Sequence, residues 1–496
     1  MPRLTDELEA DLIRVLATFS PWWSSGKIVD VEKFKRLDFS VLAKKLTTKG
    51  AVALVGARQV GKTTLMEQLI ELLLANGADP QRIMMIRANN TELNTISNNI
   101  IRDSINMYEK YVIKEEISKA QKLTYVFIDE IQTVEGWYNI VRDYYDINKN
   151  IKFFVSGSSS AKIIKDSTKA LVGRGETQVV VPFKFLEVLR YERFRNGDEK
   201  DELRAGISNI REALQRLMES KTTKEKLLQF MSLIENKYKS LLIHEPWIKS
   251  SLDKYFIKGG YPAVIKEPNF RRCIDILSAN IRDVVNTDIV GLYGIRKPIA
   301  MNKLLVLLSK DSSDNFNLAK TASDIEEDVK TLSEYVKYLD DTFIISISEN
   351  YRLSKSNRIR KKIKKVYFND IGLRNVINNT FVENALTDTN ELGKIAETVV
   401  HDHCVRLKFK ISNQLRPELF YWRDDEGEID IILEHKGRPI PIEVKYRNTI
   451  QKEDISLMEK FIEENDSGFG ICVSKETMEL RNKILVIPAW FFLLLC

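Results

Sequence analysis

Leu54-Val55-Gly56-Ala57-Arg58-Gln59-Val60-Gly61-Lys62-Thr63-Thr64 is the stretch whose reading decides the fold. The small apolar run Ala51 to Val55 before it has the character of a buried strand, and Leu65, Met66 and Leu69 after it have helical apolar spacing. Gly56 through Thr63 satisfy G-x-x-x-x-G-K-[ST] in the strand–loop–helix setting that this motif needs. The glycines let backbone N–H groups curl around phosphate oxygens where a side chain would block the approach. The helix N-terminus adds partial positive charge. Lys62 is placed to reach β- and γ-phosphates, and Thr63 to offer its hydroxyl to Mg²⁺. The expected nucleotide-binding set is Gly56, Arg58, Gln59, Val60, Gly61, Lys62, Thr63 and Thr64, with a nucleoside triphosphate as the ligand.

Outward from this loop, strand-like and helix-like stretches alternate to about Pro182, the pattern of a parallel sheet. Thr124-Tyr125-Val126-Phe127-Ile128-Asp129-Glu130 is an apolar strand ending in two acids. In that setting Asp129 would hold the Mg²⁺ shell and Glu130 would activate the attacking water. A further strand, Ile151 to Val155, ends in Ser156-Gly157-Ser158-Ser159-Ser160, where a small hydroxyl would sit beside the γ-phosphate. Leu171-Val172-Gly173-Arg174-Gly175 and Pro182-Phe183-Lys184-Phe185 follow.

Together, Gly56–Thr64, Tyr125–Gln132, Val155–Ser160, Gly173-Arg174 and Pro182–Phe185 resemble a prokaryotic AAA+ ATPase. The likeness is to the archaeal and bacterial group that joins such a domain to a C-terminal domain of unknown function. It implies ATP with Mg²⁺ as cofactors. It also implies sensor 1 at Ser156 or Ser158, and an arginine finger at Arg174 that reaches a neighbouring subunit's site. That last role implies a homo-oligomer, a ring of six by family analogy. A sensor-2 arginine has only Arg271 and Arg272 as candidates.

The chain has 496 residues, room for about three domains. Its net charge of +6 permits a nucleic-acid partner without requiring one, so the placement of the charge matters more. The four cysteines, Cys273, Cys404, Cys472 and Cys496, lack C-x-x-C spacing, which excludes a cysteine-rich zinc site and fits a reducing compartment. His401-Asp402-His403-Cys404 has no second ligand pair to make a zinc site. Residues 1–7 lack an apolar leader, and the apolar run from Ile484 is too short to span a bilayer and holds Pro488. A cytoplasmic protein without membrane partners is expected. Pro21-Trp22-Trp23, in the lead-in, has the look of a packing anchor, with base stacking as the lesser reading.

Residues 195–255 interleave acids and bases as solvated helices do; they are expected to form a lid, with a sharp turn at Gly259-Gly260-Tyr261-Pro262. Three helical stretches (301–309, 317–323 and 325–339) then precede two strands, 343–347 and 364–368, the order of a winged helix. Between and beside those strands lie Arg352, Lys355, Arg358, Arg360, Lys361, Lys362, Lys364 and Lys365, almost without acids, a candidate clamp on DNA phosphates. Further on, Asp430 lies in one strand, and Glu443 and Lys445 share a face of the next. Two carboxylates with a lysine would hold Mg²⁺ and orient a hydroxide for phosphodiester attack. The arrangement resembles the PD-(D/E)xK nuclease core, with Glu397 on the preceding helix as the accessory acid.

The expected fold is α/β: a P-loop AAA+ parallel sheet with a helical lid, then a winged helix, then an α/β nuclease-like domain. The boundaries read from the sequence are a lead-in to 50, a nucleotide-binding core over 51–190, a lid over 191–289, a winged helix over 290–385 and a nuclease-like domain over 386–496. Two functions fit this order. One is an ATP-driven motor that moves or remodels duplex or branched DNA. The other is an ATP-controlled signalling or defence switch whose nuclease-like domain is the effector.

Overall fold

The computed structural model describes residues 5–158, 175–198, 203–220, 222–295, 297–351, 363–412 and 417–496. Two compact units divide at Val181/Pro182.

The first unit is built on five parallel strands: β1 (Ala51–Val55), β2 (Ile83–Arg87), β3 (Thr124–Asp129), β4 (Ile151–Gly157) and β5 (Gly175–Val179). β1, β3 and β4 are buried along their whole length, as strands covered by helices on both faces must be. Their near-continuous apolar sequences follow from that burial. The spatial order is β2-β3-β4-β1-β5, the sheet of a P-loop AAA+ fold. β4 is inserted between β1 and β3, pairing Val55 with Gly157 and Ile128 with Val155. The carboxyl ends of three neighbouring strands therefore carry, side by side, the glycine loop, the serine run and the acid pair. In an open parallel sheet this edge is where ligands bind.

The lead-in belongs to this unit. Both Trp22 and Trp23 donate their indole N–H to the carbonyl of Ile83, each at 2.7 Å, and Trp23 stacks on Tyr108 at 5.6 Å. The pair anchors the start of β2. Beyond it the chain runs past helix Lys62–Ala75, where Gln68 Nε2 donates to the carbonyls of Glu32 (2.7 Å) and Phe34 (2.9 Å).

The second unit centres on a nine-stranded mixed sheet. Its members are β6 (Asn315–Asn317), β7 (Ile345–Asn350), β8 (Ile363–Phe368), β9 (Phe420–Arg423), β10 (Glu428–His435), β11 (Arg438–Lys445), β12 (Gly470–Ser474), β13 (Glu479–Arg481) and β14 (Ile484–Pro488). The order is β13-β14-β12-β11-β10-β9-β7-β8-β6. The hairpin β7–β8 joins the C-terminal strands through a short parallel pairing, Glu349 with Phe420 and Asn350 with Tyr421. Helix Glu453–Glu464 covers part of this sheet, its Met458, Phe461 and Ile462 packing with Trp422, Ile429 and Ile432. The terminal helix Ala489–Leu495 is buried along its whole length, which accounts for the apolar run there.

Before β7 the elements run helix Pro298–Lys310, β6, helix Leu318–Asp324 and helix Val329–Asp341, with β6 paired antiparallel to β8. The third helix begins at Val329, later than its acidic lead suggests. The reason is local: the Asp328 carboxylate accepts from Lys330 N (2.8 Å) and Thr331 N (3.2 Å), making Asp328 the N-cap.

The stretch read as a lid packs within this second unit. Arg211, on helix Ile207–Glu219, donates to the Leu495 carbonyl at 2.7 Å, and Phe256 meets the Tyr446 ring edge-on at 5.4 Å. The turn at Gly259-Gly260 is a junction. A Cβ on Gly260 would lie 1.9 Å from the Phe183 carbonyl oxygen. Gly260 N donates to Asp370 Oδ2 at 2.7 Å, and the other oxygen of that carboxylate caps helix Ile371–Ile377 at Leu373 N, 3.1 Å away. Burial pushes the Asp370 carboxyl up to about 6 against those two N–H bonds.

Candidate functional site: the strand ends of the first unit and a carboxylate cluster in the second

In the first unit, β1 ends at Gly56, whose position admits no side chain: an added Cβ would lie 1.8 Å from the carbonyl oxygen of Val180. Gln59 and Gly61 take left-handed backbone angles, φ 60° and 97°, which curl the loop before helix Lys62–Ala75 begins. The Lys62 ammonium, 3% exposed, donates to the carbonyls of Gly56 (3.0 Å) and Ala57 (2.7 Å). It is thus held inside the loop it would share with phosphate oxygens.

Thr63 Oγ1 donates to Asp129 Oδ2 at 2.7 Å, which places two hard oxygen ligands from facing elements together. The donor set fits Mg²⁺. Thr63 and Asp129 would hold that ion, and when bound it would offset negative charge on the phosphates. Ser156 Oγ donates to Asp129 Oδ1 and accepts from Glu130 N at 3.4 Å. Ser156 therefore stands between the two acids. Ser158 stands elsewhere, accepting from Gln132 Nε2 at 3.0 Å. Of the two sensor-1 candidates, only Ser156 touches the acid pair.

Glu130 has a left-handed backbone, φ 54°, a sparsely populated state for a non-glycine residue and one that concentrates at functional sites. Its Oε2 accepts from Gln132 Nε2 at 2.5 Å, while Gln132 Oε1 is buried without a hydrogen-bond partner among the described residues. One helical turn beyond the loop, burial pushes the Glu67 carboxyl up; Arg87, 3.4 Å away, draws it back, and the charge of Asp129 adds to the rise.

Two residues of this site escape the motif reading. Gln132 is visible only as a polar residue two places after an acid pair. Arg36 carries no local signal at all. It is 6% exposed and donates to the carbonyls of Val60 and Val181, each at 2.9 Å, so it ties the phosphate loop to the chain beyond β5.

The second unit brings together every residue of the expected nuclease-like set. β10 and β11 are antiparallel neighbours. Val444 N donates to Asp430 Oδ2 (2.9 Å), and Asp430 N donates to Glu443 Oε2 (3.3 Å). Lys445 donates to Glu443 Oε1. Glu397, on helix Thr389–Ser412, accepts from Tyr367 OH at 2.8 Å.

A residue outside that set lies at the centre. Lys365, on β8 and 2% exposed, places its ammonium 3.1 Å from Glu397 Oε1, 2.6 Å from Glu428 Oε1 and 3.7 Å from Asp430 Oδ1. Burial works to lower this ammonium, but the charges of Tyr367, Glu397, Asp430 and Glu428 outweigh it and hold it well above its usual range. Burial pushes Glu397 up to about 7 and Glu443 up to about 8, in each case with the Asp430 charge adding to the rise. Among the described residues no three His, Cys, Asp or Glu form a group able to hold a metal ion. The expected Asp430–Glu443 metal pair thus comes together with its oxygens already engaged, and a metal does not fit the cluster as it stands.

His401 and His403 have structural partners instead. His401 stacks on Tyr367 at 3.7 Å, and His403 Nε2 accepts from Phe185 N at 3.2 Å. Arg174 and the basic set Arg352, Lys355, Arg358, Arg360, Lys361 and Lys362 lie outside the described residues. Among the described residues no helix is long and apolar enough to cross a membrane.

A parallel sheet of this order, with a glycine loop, an acid pair and a serine on three adjacent strand ends, defines a P-loop nucleoside-triphosphatase fold. Within that class, residues 48–189 match the family model described as an AAA domain, and the first unit carries an AAA-family ATPase domain. Residues 249–384 and 392–492 match two domains of unknown function, DUF8612 and DUF4143.

An uncharacterized protein of Methanocaldococcus jannaschii is 23% identical over 476 residues, 90% of this chain and 88% of that protein. One of Haemophilus influenzae is 22% identical over 326 residues, 64% of this chain and 67% of that protein. Among solved structures, the Walker-type ATPase of Pyrococcus abyssi aligns at 14% identity and TM-score 0.37, over 71% of this chain and 97% of that one. The ORC2 protein of Aeropyrum pernix aligns at 13% identity and TM-score 0.35, over 72% of this chain and 96% of that one.

Proposed function

We propose that the chain is a Mg²⁺-dependent AAA+ ATPase that uses hydrolysis to move or remodel duplex or branched DNA. The observation that carries the ATPase reading is the chain of contacts Thr63–Asp129–Ser156–Glu130 beside the glycine loop. In it the phosphate loop and Lys62 bind the triphosphate, Thr63 and Asp129 hold the metal, and Ser156 orients the Asp129 carboxylate and holds the backbone of Glu130. Glu130 takes the proton from the attacking water. Arg174 enters a neighbour's site in a homo-oligomeric ring and offsets charge on the transferring phosphoryl group.

For DNA, the support is the concentration of positive charge from Arg352 to Lys362 in the sequence between the two strands of a hairpin. Helix, strand, helix, helix and hairpin in that order are read as a winged helix, with this stretch as its wing and Arg352, Lys355, Arg358, Arg360, Lys361 and Lys362 on phosphates. The nuclease-like C-terminal strands would serve as a further grip.

The test is the steady-state ATPase rate with and without duplex and branched DNA. A several-fold stimulation is expected, lost when Arg358, Arg360, Lys361 and Lys362 are replaced together by Glu. Turnover near zero that does not respond to DNA would contradict the motor and favour the ATP-controlled switch.

A further inference from the structure

We propose that the Lys365 ammonium takes the place of a divalent metal ion in the C-terminal carboxylate cluster, making it a fixed ionic clasp between hairpin and sheet that takes up neither Mg²⁺ nor Mn²⁺. The ATP-binding unit plays no part in it.

Three carboxylates from two elements converge on this one cation: Glu397 from helix Thr389–Ser412, and Glu428 and Asp430 from β10. Carboxylates gathered in a buried spot need a counter-ion, and a nuclease core supplies a hard divalent one at roughly 2.0–2.6 Å from each oxygen. Here the ammonium lies 2.6–3.7 Å from one oxygen of each acid, within the range of an ion-paired lysine. A divalent ion on the same oxygens would sit almost in contact with Nζ, and two cations so close repel strongly in a buried site.

The second oxygen of Asp430 and both oxygens of Glu443 are engaged as well. Asp430 Oδ2 accepts from Val444 N, and the two oxygens of Glu443 accept from Lys445 and from Asp430 N. Nor can Lys365 withdraw easily. Its backbone sits within β8, in register with Asn315 of β6 on one side and Ser348 of β7 on the other, and the residue is buried, so its stem is enclosed by the fold. Tyr367, two residues along the same strand, bonds Glu397 through its hydroxyl and fixes that acid toward the ammonium.

Mn²⁺ binding to the nucleotide-free full-length chain, counted by electron paramagnetic resonance, tests this in wild type, Asp430→Asn, Lys365→Met and the double variant. Any Mn²⁺ held at Thr63 and Asp129 is common to all four and cancels. Wild type and Asp430→Asn are expected to hold equal numbers of Mn²⁺. Lys365→Met is expected to hold one more per chain, lost again in the double variant, and its Tm, lowered by roughly 5–10 °C without metal, should rise with Mn²⁺ far more than that of wild type. A wild-type chain that loses one Mn²⁺ on Asp430→Asn would overturn the proposal, as would a folded Lys365→Met that gains none. If Lys365→Met does not fold, the comparison of wild type with Asp430→Asn, or with Glu397→Gln in its place, decides alone.

Discussion

Glu130→Gln is expected to leave ATP bound and to cut its turnover by roughly 100-fold or more, the loss typical of a deleted general base. The amide is the same size and keeps an oxygen to accept the bond that Gln132 Nε2 makes to Glu130 at 2.5 Å, so the local packing survives. What it loses is the ability to take a proton. Asp129 and Thr63, 2.7 Å apart, are untouched, and so is the Lys62 loop. Equilibrium binding of labelled ATP set beside the steady-state hydrolysis rate separates the two effects. Undiminished turnover would remove Glu130 from the chemistry. Loss of binding instead would mean that the substitution acts through the fold.

Gly56→Ala should be the most damaging single change in the first unit. The added methyl would stand 1.8 Å from the Val180 carbonyl oxygen, a backbone atom that cannot rotate away. Val180 N already donates to the Val55 carbonyl at 2.7 Å, so relieving the clash means parting the two chains at the mouth of the loop. A loss of about 2–4 kcal/mol in stability is expected, with nucleotide affinity falling alongside it, as urea denaturation and ATP titration would measure. Gly61→Ala makes the contrast: its methyl meets nothing within 4 Å, and only the φ of 97° is strained, a cost of roughly 1–2 kcal/mol. If the two variants proved equally stable, packing of the loop against the chain after β5 would not be what demands a glycine at 56.

Both sites show where sequence reading reaches and where it stops. β1, β3 and β4 are legible because a doubly covered strand must be apolar throughout, and the glycine loop and acid pair are legible because phosphate and metal chemistry narrows the residue choice at each position. Asp430, Glu443 and Lys445 are legible for a related reason: a strand's two-residue period puts alternate residues on one face. Lys365 looks like one more cation in a basic run. Its role appears only when β7 pairs with β9 through two residues on each side, a contact with no periodic trace in either strand. Arg36 is hidden in the same way, since its partners Val60 and Val181 are distant in sequence and offer only carbonyl oxygens. The Gly260–Asp370 junction shows in the sequence only as a turn, because its demand for glycine comes from Phe183.

The most direct measurement of the central claim is ATP hydrolysis by Lys62→Ala beside wild type, with Mg²⁺ present. Lys62 is the cation that the loop holds at its centre, 3.0 and 2.7 Å from two of its carbonyls. Removing it should take away the charge-assisted contact to the phosphates and bring turnover down by about 100-fold or more. Hydrolysis at the wild-type rate by a folded Lys62→Ala chain would contradict the account.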